Sequence, residues 1–147
     1  MQIEKSQDIE LGGMKVSSVA HIAVAVPDLE KAMSFYHDRF GAKISAPTEN
    51  TAQGVRIAFA EFSNTKIELL QPLKKVSPVG RFIERNPSGG IHHICFSTED
   101  AESAHSTAEA NGLRPLQMPE QGVHGHPLFF LHPKETFGAL IEIEESG

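Results

Sequence analysis

The segment HIAVAVPDLEKA, residues 21–32, recurs 72 positions later as HICFSTEDAESA, residues 93–104. Three polar residues keep their places under this shift, which lays His93, Asp100 and Glu102 on His21, Asp28 and Glu30. Each copy opens with an apolar run typical of a buried strand and then changes to helical spacing. The chain is therefore predicted to contain two copies of one strand–helix unit.

The first copy is predicted to run strand, helix and three further strands. Its first strand covers residues 16–26, and the helix that follows has Asp28 as its N-cap and Gly41 as its C-terminal stop. The three later strands are expected near residues 43–46, 55–62 and 65–71.

The second copy repeats this order after a linker. A helix near residues 79–85 and the breaker NPSGG, residues 86–90, separate the copies. A strand at 91–97, a helix within 98–112 and strands near 114–117, 128–131 and 139–144 complete it. We therefore expect an α+β fold of two tandem βαβββ modules. Its parts are a flexible N-terminal arm (1–15), module 1 (about 16–73), a linker helix (about 74–88) and module 2 (about 89–147).

The last strands of the two copies also match. KIELL, residues 66–70, falls on LIEIE, residues 140–144, so that Glu68 aligns with Glu142. Because strand side chains alternate, Ile67, Leu69, Ile141 and Ile143 would pack on the helices. The two glutamates and the two aligned histidines would then share the opposite face.

Such a set suits a divalent metal ion. The candidate ligands are His21, Glu68, His93 and Glu142. Nitrogen and oxygen donors together favour Co²⁺, Mn²⁺, Fe²⁺, Ni²⁺ or Zn²⁺. Taken singly, a strand histidine is more often a packed residue than a ligand. The recurrence in both copies favours a shared site, since packing alone does not demand His and Glu there.

Two neighbours of these residues are assigned other roles. His92 is expected on the opposite strand face from His93, in packing or as an indirect support of the site. Cys95 is the only cysteine and is interpreted as a small core residue.

Composition narrows the functional class. The chain has 147 residues with 13 basic against 19 acidic, a net charge of −6, which argues against a nucleic-acid or anionic-membrane partner. One cysteine allows no internal disulfide and no zinc–thiolate cluster. No apolar run has the length of a membrane span or a signal core, so we expect a cytoplasmic protein.

Longer stretches carry a family resemblance from about His21 to Glu144. These are HIAVAVPDLEKAMSFYHDRFGA, NTKIELLQPL, SPVGRFIERNPSGGIHHICF, VHGHPLFFLHPK and GALIEIEE. Together they resemble the methylmalonyl-CoA epimerases, a family of the vicinal oxygen chelate superfamily, whose members include the glyoxalases. The resemblance implies a cupped mixed sheet, a homodimer, a role in propionate metabolism and methylmalonyl-CoA as substrate. It also implies a divalent metal, Co²⁺ first and Mn²⁺, Ni²⁺ or Zn²⁺ as alternatives, held by His21, Glu68, His93 and Glu142.

The implied reaction inverts C2 of methylmalonyl-CoA and needs proton exchange on both faces. The resemblance makes Glu142 one base as well as a metal ligand. Where bacterial relatives often carry the second base as Glu, this chain has Ile57. Glu61, on the face of Ile57, and Glu49, in the preceding loop, are the substitutes.

Further polar residues have two interpretations each. The resemblance places the loop with His124, His126 and His132 beside the active site, whereas its Gly and Pro content indicates a structural turn. Arg81, Arg85 and Lys134 could contact CoA phosphates or could be ordinary solvated residues.

The fold class alone does not decide the function. A glyoxalase-like enzyme, a ring-cleaving dioxygenase with a two-His, one-carboxylate iron site, and a metal-free small-molecule-binding module remain alternatives.

Overall fold

The computed structural model describes residues 13–122 and 125–146. The chain divides into two compact units. The first unit is Val19–Cys95, and the second combines the residues up to Ser18 with Phe96–Gly147. Most of the predicted N-terminal arm, residues 1–12, lies outside the described residues. No helix of the described ranges has the length and apolar character needed to cross a bilayer.

The first unit contains a mixed sheet with helices after its first and fifth strands. Its elements are β1 (Ser18–Ala25), α1 (Leu29–Phe40), β2 (Lys43–Ile44), β3 (Thr48–Asn50), β4 (Val55–Glu61), β5 (Lys66–Pro72) and α2 (Pro78–Arg85), followed by the start of β6 (Gly90–Thr98). β4 pairs antiparallel with β2, β3 and β5. β1 pairs parallel with β5 and has β6 on its other side.

Local signals fix α1 where the sequence predicted it. The Asp28 carboxylate accepts a hydrogen bond from the Lys31 amide at 3.1 Å, and Gly41 ends the helix in the left-handed conformation at φ 69°. Leu29, fully buried, then packs with Ala58 and Leu69. One face of β4 and β5 therefore contacts the helix, and the other face carries Phe59 and Glu68 by alternation.

The second unit has the same kind of layering. Its elements after residues 96–98 of β6 are α3 (Ala101–Ala110), β7 (Glu120–Gln121), β8 (Pro127–Leu131), a 3₁₀ helix (Pro133–Glu135) and β9 (Ile141–Glu145). β8 pairs antiparallel with β7 and β9. Ala104 and Ala108 of α3 form a core with Phe129, Leu131 and Ile143, so the apolar row of β9 packs on the helix as predicted. The α+β class with a mixed sheet is confirmed.

One predicted strand is absent and one strand was missed. The short strand β3 was not predicted, and the strand predicted at residues 114–117 does not form. That segment makes only an isolated bridge between Pro115 and Leu131, because proline has no amide hydrogen to continue a ladder. The Leu116 amide still donates to the Phe130 carbonyl at 2.8 Å, and β7 occupies the paired position further along β8.

Gly89 is a close-packed residue at the entry to β6. It has φ 91°, and a Cβ there would lie 2.5 Å from the Ala25 carbonyl oxygen. We expect Gly89→Ala to destabilise the protein clearly more than Gly41→Ala. Gly41 is also left-handed, but a Cβ there would meet open space. The Gly41 change should cost about 1–2 kcal/mol from backbone conformation alone. Urea unfolding of both variants checks this, and equal midpoints would contradict the role of the close approach.

Candidate metal site

Three predicted ligands come together in the first unit. His21 lies in β1, Glu68 in β5 and His93 in β6. The parallel β1–β5 ladder pairs Ala23 with Glu68, so His21 is one pleat away from the carboxylate on the same face. All three side chains are buried, with 2%, 3% and 7% of their surfaces exposed.

Their polar atoms converge on one point. Nε2 of His21 lies 3.4 Å from Nε2 of His93 and 3.5 Å from Oε1 of Glu68. Nε2 of His93 lies 3.8 Å from the same oxygen. These separations exceed the 2.7–3.2 Å of ordinary hydrogen bonds. Two donors each bound at about 2.1 Å to one ion stand at most about 4.2 Å apart, and all three separations fall below that limit.

The donor set fits a divalent ion on chemical grounds. A buried carboxylate requires a compensating positive charge or several hydrogen bonds, since its isolated burial is very costly. Two imidazole nitrogens and a carboxylate oxygen are the donors that Zn²⁺, Co²⁺ and similar ions accept. The three residues are therefore suitable to hold the implied metal.

An aromatic ring and a cation border this group. Phe59 stands directly opposite Glu68 in the β4–β5 ladder, and its ring meets the His21 ring edge to face at 6.4 Å. The Lys66 ammonium lies over the Phe59 ring, 4.3 Å from its centre. Lys66 is half-buried and shares the face of Glu68 by alternation. Sequence reasoning missed Lys66, although its position two residues before Glu68 was the available signal.

Glu142, the fourth predicted ligand, belongs to the second unit. It lies in β9 opposite Phe130 and is 4% exposed. Glu144 follows on the same face, opposite Leu128, and is also buried at 9% exposure. Sequence reasoning did not single out Glu144, although the alternation in IEIEE contains it. The roles of Glu142 as ligand and base stay predictions.

The strand register places Glu61 and Glu49, the two proposed substitutes for the second base, on opposite faces of the sheet. Ile57 is buried opposite Leu70. Glu61 lies at the exposed end of β4, on the face of Ile57 and Phe59. Glu49 pairs with Arg56, whose side chain lies on the other face of β4 and forms an ion pair with Glu30 of α1. Glu49 is therefore not on the face that carries Glu68.

The remaining predicted residues show structural or exposed settings. His132 caps the 3₁₀ helix, because its Nδ1 accepts from the Lys134 amide at 3.0 Å. The His126 carbonyl accepts from the Gly122 amide at 3.0 Å, which favours a structural turn. His124 lies outside the described residues. Arg81 and Arg85 are exposed on α2, Lys134 is exposed beside β8, and Cys95 is fully buried.

Comparison with known proteins identifies the family of the chain. Residues 20–130 match the model of the Glyoxalase/Bleomycin resistance protein/Dioxygenase superfamily. The chain is 45% identical to the ethylmalonyl-CoA/methylmalonyl-CoA epimerase of Cereibacter sphaeroides over 132 residues, which cover 88% of this chain and 98% of the relative.

Solved structures give the same relationship. The methylmalonyl-CoA epimerase of Mycobacterium tuberculosis superposes with a TM-score of 0.84 at 28% identity, covering 92% of this chain and 91% of that one. A methylmalonyl-CoA epimerase in complex with methylmalonyl-CoA and NH₄⁺ has a TM-score of 0.82 at 31% identity, covering 90% and 96% of the two chains.

We expect His93→Ala to lose tight binding of Co²⁺, because it removes one of three converging donors and leaves Glu68 and His21 without the third. Isothermal titration of the metal-free protein measures this. The matched control is His37→Ala, an exposed histidine of α1 that contacts Asp38 and should keep wild-type affinity. Unchanged Co²⁺ affinity in His93→Ala would show that the ion binds elsewhere.

Proposed function

We propose that this chain, which belongs to the Glyoxalase/Bleomycin resistance protein/Dioxygenase superfamily and within it to the methylmalonyl-CoA epimerases, interconverts (2R)- and (2S)-methylmalonyl-CoA. The observation that carries the proposal is that the buried side chains of His21, Glu68 and His93 converge on one face of the sheet. Relatives with this activity match almost the whole chain. The substrate is a thioester with a free carboxylate, so both an oxyanion and a second anion must be accommodated.

The chemical difficulty is removal of the C2 proton. Loss of that proton places negative charge on the thioester oxygen, and a divalent ion held by the three donors would supply the electrostatic stabilisation of that charge. Co²⁺ is the proposed ion, with Mn²⁺, Ni²⁺ or Zn²⁺ as alternatives. Phe59 borders this donor group. The three donor residues are at most 7% exposed, and such low exposure to water strengthens the interaction between charges there.

Proton transfer needs one acid/base group on each face of C2. Glu142 is proposed for one face, as a buried carboxylate of β9. Glu61 is the candidate for the other face, since Ile57 has no titratable group and Glu49 lies on the helix-facing side of its ladder. Glu142 is also proposed as the fourth metal ligand, by analogy with Glu68 in the repeat.

Lys66 is proposed to bind the free carboxylate of the substrate. Lys66 is half-buried, and its ammonium lies over Phe59 on the strand face that carries Glu68. A cation resting on an aromatic ring is partly removed from water, and an ion pair formed there is screened less than one on the open surface. The role gives the site a means to distinguish methylmalonyl-CoA from neutral acyl-CoA esters.

The same three donors are the set found in two-His, one-carboxylate iron oxygenases. A dioxygenase is therefore the second candidate function. Oxygen uptake by the Fe²⁺-loaded protein with a catechol would support it, and its absence alongside C2 exchange would exclude it.

The finer assignments follow from the family resemblance. We propose a homodimer in the cytoplasm, acting in propionate metabolism. Light scattering of the purified protein measures the oligomer directly.

The function is tested by proton NMR of (2S)-methylmalonyl-CoA in D₂O, with Glu142→Gln as the matched variant. We expect the wild-type protein loaded with Co²⁺ to exchange the C2 proton and produce the 2R form. Glu142→Gln should fold and lose about a hundred- to ten-thousand-fold in turnover, since it removes a base but keeps size and an oxygen donor. No exchange by metal-loaded wild type would refute the function, and near-normal turnover of the variant would remove Glu142 from proton transfer.

We expect Lys66→Met to raise KM for methylmalonyl-CoA by about ten- to a hundred-fold, the range for a lost hydrogen bond to a charged group. Binding of propionyl-CoA, which has no free carboxylate, should be unchanged. Lys74→Met, at an exposed position after β5, is the control. Equal weakening for both ligands would show that Lys66 acts on the CoA portion or on folding.

A further inference from the structure

We propose that His92 is a positioning residue. It accepts a hydrogen bond from Nδ1 of His93 and so leaves the Nε2 lone pair of His93 free to bind an ion at the point where His21 and Glu68 converge. The inference rests on the proposed metal site and names a residue that supports it. Nδ1 of His92 lies 2.9 Å from Nδ1 of His93, a full hydrogen-bond contact. The two residues are neighbours in β6, so their side chains leave the strand on opposite faces, yet their rings meet edge to face with centres 5.2 Å apart.

The direction of this hydrogen bond follows from the chemistry of imidazole. One proton lies between the two Nδ1 atoms, so one ring donates and the other accepts. A neutral histidine that binds a metal through Nε2 carries its proton on Nδ1. Nε2 of His93 is the atom that faces His21 and Glu68. Only donation from His93 to His92 leaves the lone pair of that Nε2 available to an ion.

The opposite direction would give a site that cannot bind metal in this way. If His92 donated, His93 would carry its proton on Nε2, pointed at the Glu68 oxygen 3.8 Å away. That proton would occupy the position of the lone pair, and the ion would lose a donor. An acceptor nitrogen on His92 therefore favours the Nδ1–H tautomer of His93, which can bind an ion, over the Nε2–H tautomer, which cannot.

Packing holds His92 in place. The Phe82 ring of α2 meets the His92 ring edge to face, with centres 5.3 Å apart. Phe82 also lies against the Gly90 backbone at the start of the same strand, since a Cβ at that glycine would be in van der Waals contact with its ring, 3.4 Å away. The linker helix thus supports His93 through two successive ring contacts.

The first copy of the repeat has no equivalent arrangement. Under the 72-residue shift, His92 falls on Ala20, which has no polar side chain. The linker helix precedes β6 and has no counterpart before β1 among the described residues. His92 is therefore an addition to the second copy and is not required by the strand pattern itself.

Two variants of His92 separate the hydrogen bond from the packing. His92→Phe keeps a ring against Phe82 but has no acceptor, whereas His92→Asn loses the ring and keeps an oxygen near the position of Nδ1. We expect His92→Phe to bind Co²⁺ about 10- to 100-fold more weakly, the range measured for partners of metal-bound histidines. His92→Asn should bind close to wild type. Isothermal titration gives both affinities, and thermal unfolding records the stability of each variant. The reverse order, with His92→Phe normal and His92→Asn weak, would show that only packing matters.

The tautomer itself is read by ¹⁵N NMR of the histidine rings in the full-length, metal-free protein, at about pH 8 where ordinary imidazoles are neutral. The His93 signals are assigned by their loss in His93→Gln. We expect the Nδ1–H form for His93 in wild type and in His92→Asn, and a mixture of tautomers in His92→Phe. An Nε2–H form in wild type would overturn the proposal. Because this measurement involves neither metal nor CoA ester, it decides the role of His92 even if the proposed function fails.

Discussion

The burial of the Glu68 carboxylate is the constraint on which the first unit depends. Only 3% of this residue is exposed, and a charge in such a place costs several kcal/mol unless it is compensated. Two imidazole nitrogens lie within 4 Å of one of its oxygens. His21 reaches it because β1 runs parallel to β5, and a parallel pair needs a long connection, which here consists of α1 and strands β2 to β4. This order of elements places the carboxylate of β5 beside the histidines of β1 and β6.

Local charge reconciles this chain with an anionic substrate. The net charge is −6, so the protein as a whole repels a CoA ester, and attraction must arise within the site. Lys66 over Phe59 supplies one positive charge, and an ion at the three donors would supply more. The three donor residues are buried, so interactions between charges there are stronger than they would be at the surface.

The sequence predicted the residues that repeat and missed those that do not. His21, His93 and Glu68 were found because strand alternation and the shift between copies depend only on residue order. β3 was missed because its three residues form a strand only through pairing with β4, a contact that local propensity does not record. Strand alternation places His92 and His93 on opposite faces and could not predict that their rings meet, a contact that accompanies the packing of His92 on Phe82. The face of Glu49 likewise became known only from the register with Arg56.

The central claim is that His21, Glu68 and His93 bind one divalent ion. Anomalous diffraction at the cobalt edge from crystals grown with Co²⁺ tests it most directly. The account predicts a single strong peak within about 2.0–2.2 Å of Nε2 of His21, Nε2 of His93 and a carboxylate oxygen of Glu68. A fully active crystalline protein with no peak at these three atoms, or with its peak on other residues, would contradict it.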